Sequence, residues 1–170
     1  MNAPASFYTS PENAAALRAA VARVIGTPFF ANSEAPGHDG GMDCVHVLNW
    51  VYRTSGAIGA VTIPRQTMDH GQHSERSLIQ EAFETWPELK ERFAPLEIAE
   101  NPADTALLPG DALCFLAGKV PHHGGIYLEG GDVLHTLKRE GVHKMKLTAV
   151  MRGESLVGRL VAAFRPLPRT

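Results

Sequence analysis

Cysteine is scarce in these 170 residues: only Cys44 and Cys114 are present. Two are too few for a disulfide framework, and their separation matches no zinc-binding motif. Long apolar runs are missing as well. No stretch of about 18 apolar residues occurs, so no bilayer-spanning helix is expected. There is no excess of one charge: 16 Lys and Arg face 18 Asp and Glu, a formal net charge of −2. That gives no electrostatic reason to expect nucleic acid or an anionic membrane as partner. Residues 1–10 lack a basic segment followed by an apolar one, so no signal peptide is expected. Synthesis in the cytoplasm is then expected, with any extracytoplasmic target reached by another route. Repeats and low-complexity tracts are absent too, and one domain over residues 1–170, with a core of about 11–166, is the expectation.

What is present centres on Gly40-Gly41-Met42-Asp43-Cys44-Val45-His46-Val47-Leu48-Asn49-Trp50-Val51-Tyr52. Val47 and Val51, and Leu48 and Tyr52, recur at i and i+4, so a helix is expected with Asp43 as N-cap and Cys44 in its first turn. A thiol there meets the positive end of the helix dipole and unpaired N–H groups, which favour thiolate. The residues alone fit equally well a small buried side chain at the start of a core helix.

Before that helix, Ser10-Pro11-Glu12 opens another, with Leu17, Val21 and Val24, together with Ala14 and Ala20, as its buried stripe and Gly26 as its stop. After it, residues 57–72 carry turn signals only. Residues 74–93 read as one or two helices, capped by Ser74 and broken at Pro87, with Phe83, Trp86 and Phe93 in the core. The last third changes character. Ala112 to Ala117 is an apolar run expected to be a strand buried on both faces. Gly125–Glu129, Asp132–Thr136, Leu147–Arg152 and Arg159–Arg165 are further strand candidates. Helices followed by an antiparallel sheet make an α+β fold.

A cysteine nucleophile needs an imidazole to take its proton and a third group to orient that imidazole. Pro121-His122-His123-Gly124-Gly125-Ile126-Tyr127 offers the base at a strand entrance, where two glycines permit close approach of a helix or substrate. Asp132-Val133-Leu134-His135-Thr136 offers His135 on the next strand, within side-by-side reach. Cys114 reads as core packing, His122 as a loop or surface residue, and His46 as a satisfied, partly buried histidine. His70 and His73 have i, i+3 spacing, but without further ligands no metal site is expected.

Asp43-Cys44, Pro109-Gly110-Asp111 before a strand, His123-Gly124-Gly125-Ile126-Tyr127 and Leu134-His135, in that order, resemble the NlpC family of cell-wall cysteine peptidases. The likeness is nearest to the branch carried by phages and gene transfer agents, through Ile25-Gly26-Thr27-Pro28, a histidine-containing insertion at His70 to Leu78, and Leu160 to Pro166. The resemblance implies a papain-like fold with the nucleophile helix packed on a small antiparallel sheet. It implies Cys44 as nucleophile, His123 as general base and His135 as orienting group. The implied substrate is a peptidoglycan stem peptide, cut between D-γ-glutamate and a diamino acid. Neither metal nor organic cofactor is implied, and phage-like tail proteins are the implied partners. Asp43, Val45 and Phe29 stand where the family touches substrate. The sequence departs from the family pattern at three of its positions: Val45 and His46 replace serine and glycine, and Phe29 replaces a tyrosine whose hydroxyl reaches the active site. The retained fold is also compatible with an inactive structural tail component, or with a deamidase or acyltransferase using the same three residues.

Overall fold

The computed structural model describes residues 4–65, 77–117, 120–151 and 153–169. Helix α1 (Pro11–Val24) begins at Ser10, whose hydroxyl accepts the N–H of Asn13, with proline at its first position. Its buried residues are Leu17, Ala20, Val21 and Val24; Ala14, expected with them, is half-buried. A two-strand ribbon, β1 (Glu34–Ala35) with β2 (Gly41–Met42), leads into α2 (Cys44–Thr54), capped by Asp43.

The second half is a six-stranded antiparallel sheet in the order β3-β10-β4-β5-β6-β7. Its strands are β3 (Phe93–Leu96), β4 (Ala112–Ala117), β5 (Val120–Tyr127), β6 (Asp132–Leu137), β7 (Gly141–Lys146) and β10 (Leu160–Pro166). A small ribbon, β8 (Val150–Met151) with β9 (Glu154–Ser155), lies outside it. Strand β4 explains its own lack of alternation. Ala112 and Cys114 pack with α1 and α2 residues, while Leu113 and Phe115 join Val133, Leu147, Leu156 and Leu160 in a second cluster. A strand with apolar packing on both faces needs no polar face.

The sheet departs from the sequence expectation in four places, the first being β5, which begins at Val120 where Gly125 was expected and ends at Tyr127. Phe93 opens a strand rather than ending a helix, and the helical residues before it form α3 (Leu78–Thr85) and α4 (Pro87–Lys90). Ser77 caps α3 by accepting the N–H of Gln80; Ser74 lies outside the described residues. Strand β7 falls where no strand was expected, and the expected strand at 147–152 shrinks to the two residues of β8. Lys144 and Lys146 of β7 are exposed, and its apolar signal is only Val142 and Met145, too little to register as alternation.

A buried ion pair ties the chain across the sheet. Arg165 on β10 donates to both oxygens of Asp111, Nε to Oδ1 at 3.0 Å and Nη2 to Oδ2 at 2.7 Å, with both side chains at most 1% exposed. Arg165 also donates to the carbonyls of Pro4 and Ala106, and Asp111 accepts the N–H of Leu108. The Pro109-Gly110-Asp111 turn is therefore pinned to the terminal strand.

Candidate active site

Cys44 is the first residue of α2, and that helix end abuts β5. The approach requires the glycines. A Cβ on Gly124 would stand 2.9 Å from Ile79 and 3.5 Å from Leu48 of α2, and one on Gly125 would meet Val133 at 2.6 Å. Close approach by a helix, the reason expected for this glycine pair, is what Gly124 permits. The N–H groups of Gly124, Val45 and Cys44 are directed at the Cys44 sulfur. The thiol thus lies against the strand position immediately after His123.

His123 Nε2 is 2.9 Å from His135 Nδ1, so β5 and β6 bring the two histidines together. A third follows in register: His135 pairs with His143 across β6 and β7, and His135 Nε2 is 3.1 Å from His143 Nε2. The row ends at the Gly141 carbonyl, 3.0 Å from His143 Nδ1. His135 uses both ring nitrogens on its neighbours, so no single point receives a lone pair from all three rings, and the row is not a metal cage. The sequence pointed to His123 and His135 but not to His143, because β7 gave no strand signal. The register partner of His135 on an antiparallel neighbour would have been the place to look.

Charge at the site is set by burial. Burial lowers His123 to about 4, with smaller contributions from His143 and Arg159, and lowers His135 to about 3, with His123 and His143 adding to the effect. Burial pushes the Cys44 thiol up to about 11; the Asp43 carboxylate adds to this, and the three N–H groups only partly offset it. This corrects the expectation of an easily formed thiolate at the helix start: enclosure of the sulfur outweighs the helix end. Both shifts favour the uncharged forms, the Cys44 thiol and the neutral His123 imidazole.

These shifts make the fold pH-sensitive. Both histidines titrate below the ordinary 6.5 when folded. The unfolded chain therefore binds two protons that the folded chain resists, and stability falls as pH drops from about 6.5 toward 4 and 3. The urea midpoint should be lower at pH 5 than at pH 7.5, with a smaller difference in His135→Asn. Equal midpoints in the wild type would contradict the buried neutral row.

Asp43 acts as the expected cap and does more. Its Oδ1 accepts the N–H of His46 at 3.0 Å and lies 2.7 Å from His46 Nδ1, while Oδ2 accepts the N–H of Asn32 at 2.7 Å. Burial works to raise the Asp43 carboxyl, but the His46 side chain and these N–H donors prevail and hold it below the usual carboxylate value. His46 thus turns to Asp43 and not to the sulfur. Val45 packs on the core and, with Leu48, Asn49, Ile79, Phe83 and Trp86, lines an apolar cavity. Phe29 forms a parallel bridge with Met42, next to Asp43. Cys114 is fully buried in β4, where burial drives its thiol up. Phe83 and Phe93 are core residues, as expected, with their rings in edge contact, and the partly buried Trp86 packs against the same core. His70 and His73, and the side chain of His122, lie outside what is described.

The family model described as "NlpC/P60 family" matches residues 26–161. No curated protein matches the sequence. Among solved structures, a Staphylococcus aureus protein similar to a lipoprotein of the NLP/P60 family is 18% identical with a TM-score of 0.59, over 99% of this chain and 45% of its own. The peptidoglycan hydrolase RipB of Mycobacterium tuberculosis is 14% identical with a TM-score of 0.51, over 100% of this chain and 74% of its own. RipD of the same organism, a non-catalytic NlpC/p60 domain protein adapted to peptidoglycan binding, is 13% identical with a TM-score of 0.50, over 92% and 97%. At these identities the likeness is one of fold, and the chain spans less than half the length of the Staphylococcus protein.

Proposed function

The chain belongs to the NlpC/P60 family, and from that premise we propose that it is a cysteine hydrolase of peptidoglycan stem peptides. The observation that carries the reading is the hydrogen-bonded row of His123, His135 and His143, whose first member directly precedes Gly124, the residue whose N–H is directed at the Cys44 sulfur. In the first step Cys44 Sγ attacks an amide carbonyl as its proton passes to His123. His123 then protonates the leaving amine, and water releases the acyl group from sulfur. In this reading the N–H groups at the start of α2 stabilise the oxyanion. The bond proposed is that between D-γ-glutamate and a diamino acid, by resemblance to the family. With Val45 beside the nucleophile and Asp43 held by three donors, an apolar group suits the subsite next to the sulfur.

A binding-only role is favoured by one observation, the high thiol value at Cys44, and RipD provides a non-catalytic example of the fold. Dye-labelled sacculi separate the readings. Wild type should release soluble dye, and Cys44→Ala should sediment with the sacculi and release none. Sedimentation without release by both proteins would establish the binding role instead. We also propose delivery to the wall in a phage-like particle, on the sequence resemblance at Ile25 to Pro28 and Leu160 to Pro166. Particles purified from a producing strain should contain the chain, and particles that lack it would overturn this route.

A further inference from the structure

We propose that His143 is a positioning residue that sets the tautomer of the whole histidine row, so that His123 presents a lone pair and not a proton to Cys44. One group in the row has a fixed role. The Gly141 carbonyl can only accept, so His143 Nδ1, 3.0 Å away, carries the proton. A neutral His143 then has only a lone pair on Nε2. His135 Nε2, 3.1 Å from it, must donate. That leaves His135 Nδ1 as an acceptor, and His123 Nε2, 2.9 Å away, must donate in turn. His123 Nδ1 is consequently unprotonated and is the ring nitrogen left for the thiol.

Without the acceptor on His143, nothing in the row distinguishes this arrangement from its reverse. In the reverse, His135 Nδ1 donates to His123 Nε2, and His123 carries its proton on Nδ1. Such a ring cannot take the proton of Cys44. His135 is fully buried, so its tautomer is chosen by its two histidine neighbours and not by solvent. His143 is only partly buried, which lets it be replaced with little loss of packing.

This inference deepens the hydrolase reading and rests on it for its kinetic consequence, but the tautomers are measurable without substrate. In protein labelled with ¹⁵N at histidine, long-range ¹H–¹⁵N correlation at pH 7.5 should show His123 and His135 both protonated on Nε2. His143→Met fills the space without a comparable acceptor, and should shift His135 and His123 toward the Nδ1 tautomer. It should also lower kcat by roughly 10- to 100-fold, the loss typical when the outer partner of a metal-bound histidine is removed, with KM unchanged. His143→Gln, which keeps an acceptor and a donor, should restore both readouts. Wild-type His123 protonated on Nδ1 would overturn the proposal, whether or not the Met variant folds. So would a folded His143→Met with wild-type tautomers and kcat. Inactivity of the wild type on wall peptides would remove the hydrolase reading while the tautomers still decided the role of His143.

Discussion

Replacing Arg165 with methionine is expected to cost about 3–5 kcal/mol of stability, the penalty for leaving one member of a buried ion pair without the other. Asp111 is wholly buried, and its two oxygens take hydrogen bonds from the guanidinium. Even with Arg165 present, burial outweighs the guanidinium and raises the Asp111 carboxyl above its ordinary value. In the Met variant the carboxylate would have no cation and would take up a proton on folding, which makes the loss larger at high pH. The carbonyls of Pro4 and Ala106 would lose their donor as well. Urea denaturation measures the loss. Adding Asp111→Asn to Arg165→Met should recover part of it, because the amide carbonyl still accepts from Leu108 and no charge is stranded. A double variant whose loss equals the sum of the two single losses would show that the pair is not coupled.

His123→Ala is expected to lower kcat by about 10²- to 10⁴-fold, the usual worth of a positioned general base, with little change in KM. The resting thiol makes the effect severe. With Cys44 pushed up to about 11, the sulfur has no thiolate population of consequence at neutral pH, and attack depends on His123 taking its proton. The residual rate of the variant should therefore climb about tenfold per pH unit between pH 7 and 10, following the thiolate fraction. Wild type should be nearly flat over that range. A variant with a flat profile, or one as fast as wild type, would remove His123 from the role of base.

What the sequence disclosed and what it hid follow from the range of the interactions. The start of α2 was legible because capping at Asp43 and the spacing of Val47, Leu48, Val51 and Tyr52 are local. Strand β4 was legible because it is apolar on both faces. Strand β7 was not, since it is an edge strand with exposed lysines at 144 and 146 and is held by pairing to β6. His143 was missed with it. The protonation of Cys44 was misjudged for a related reason: the helix end can be read from nearby residues, but the enclosure that outweighs it is made by distant ones. His46 was legible as a satisfied, partly buried histidine, and the fold adds that its partner is Asp43, at i, i+3.

The most direct test of the account is mass spectrometry of a defined muropeptide, carrying D-γ-glutamate joined to a diamino acid, after incubation in H₂¹⁸O with wild type or Cys44→Ala. The account predicts two products from wild type, with one ¹⁸O in the new carboxyl group and a new free amine on the diamino acid. It predicts intact muropeptide from Cys44→Ala. Equal cleavage by the two proteins, or none by folded wild type on muropeptides of several wall types, would contradict it.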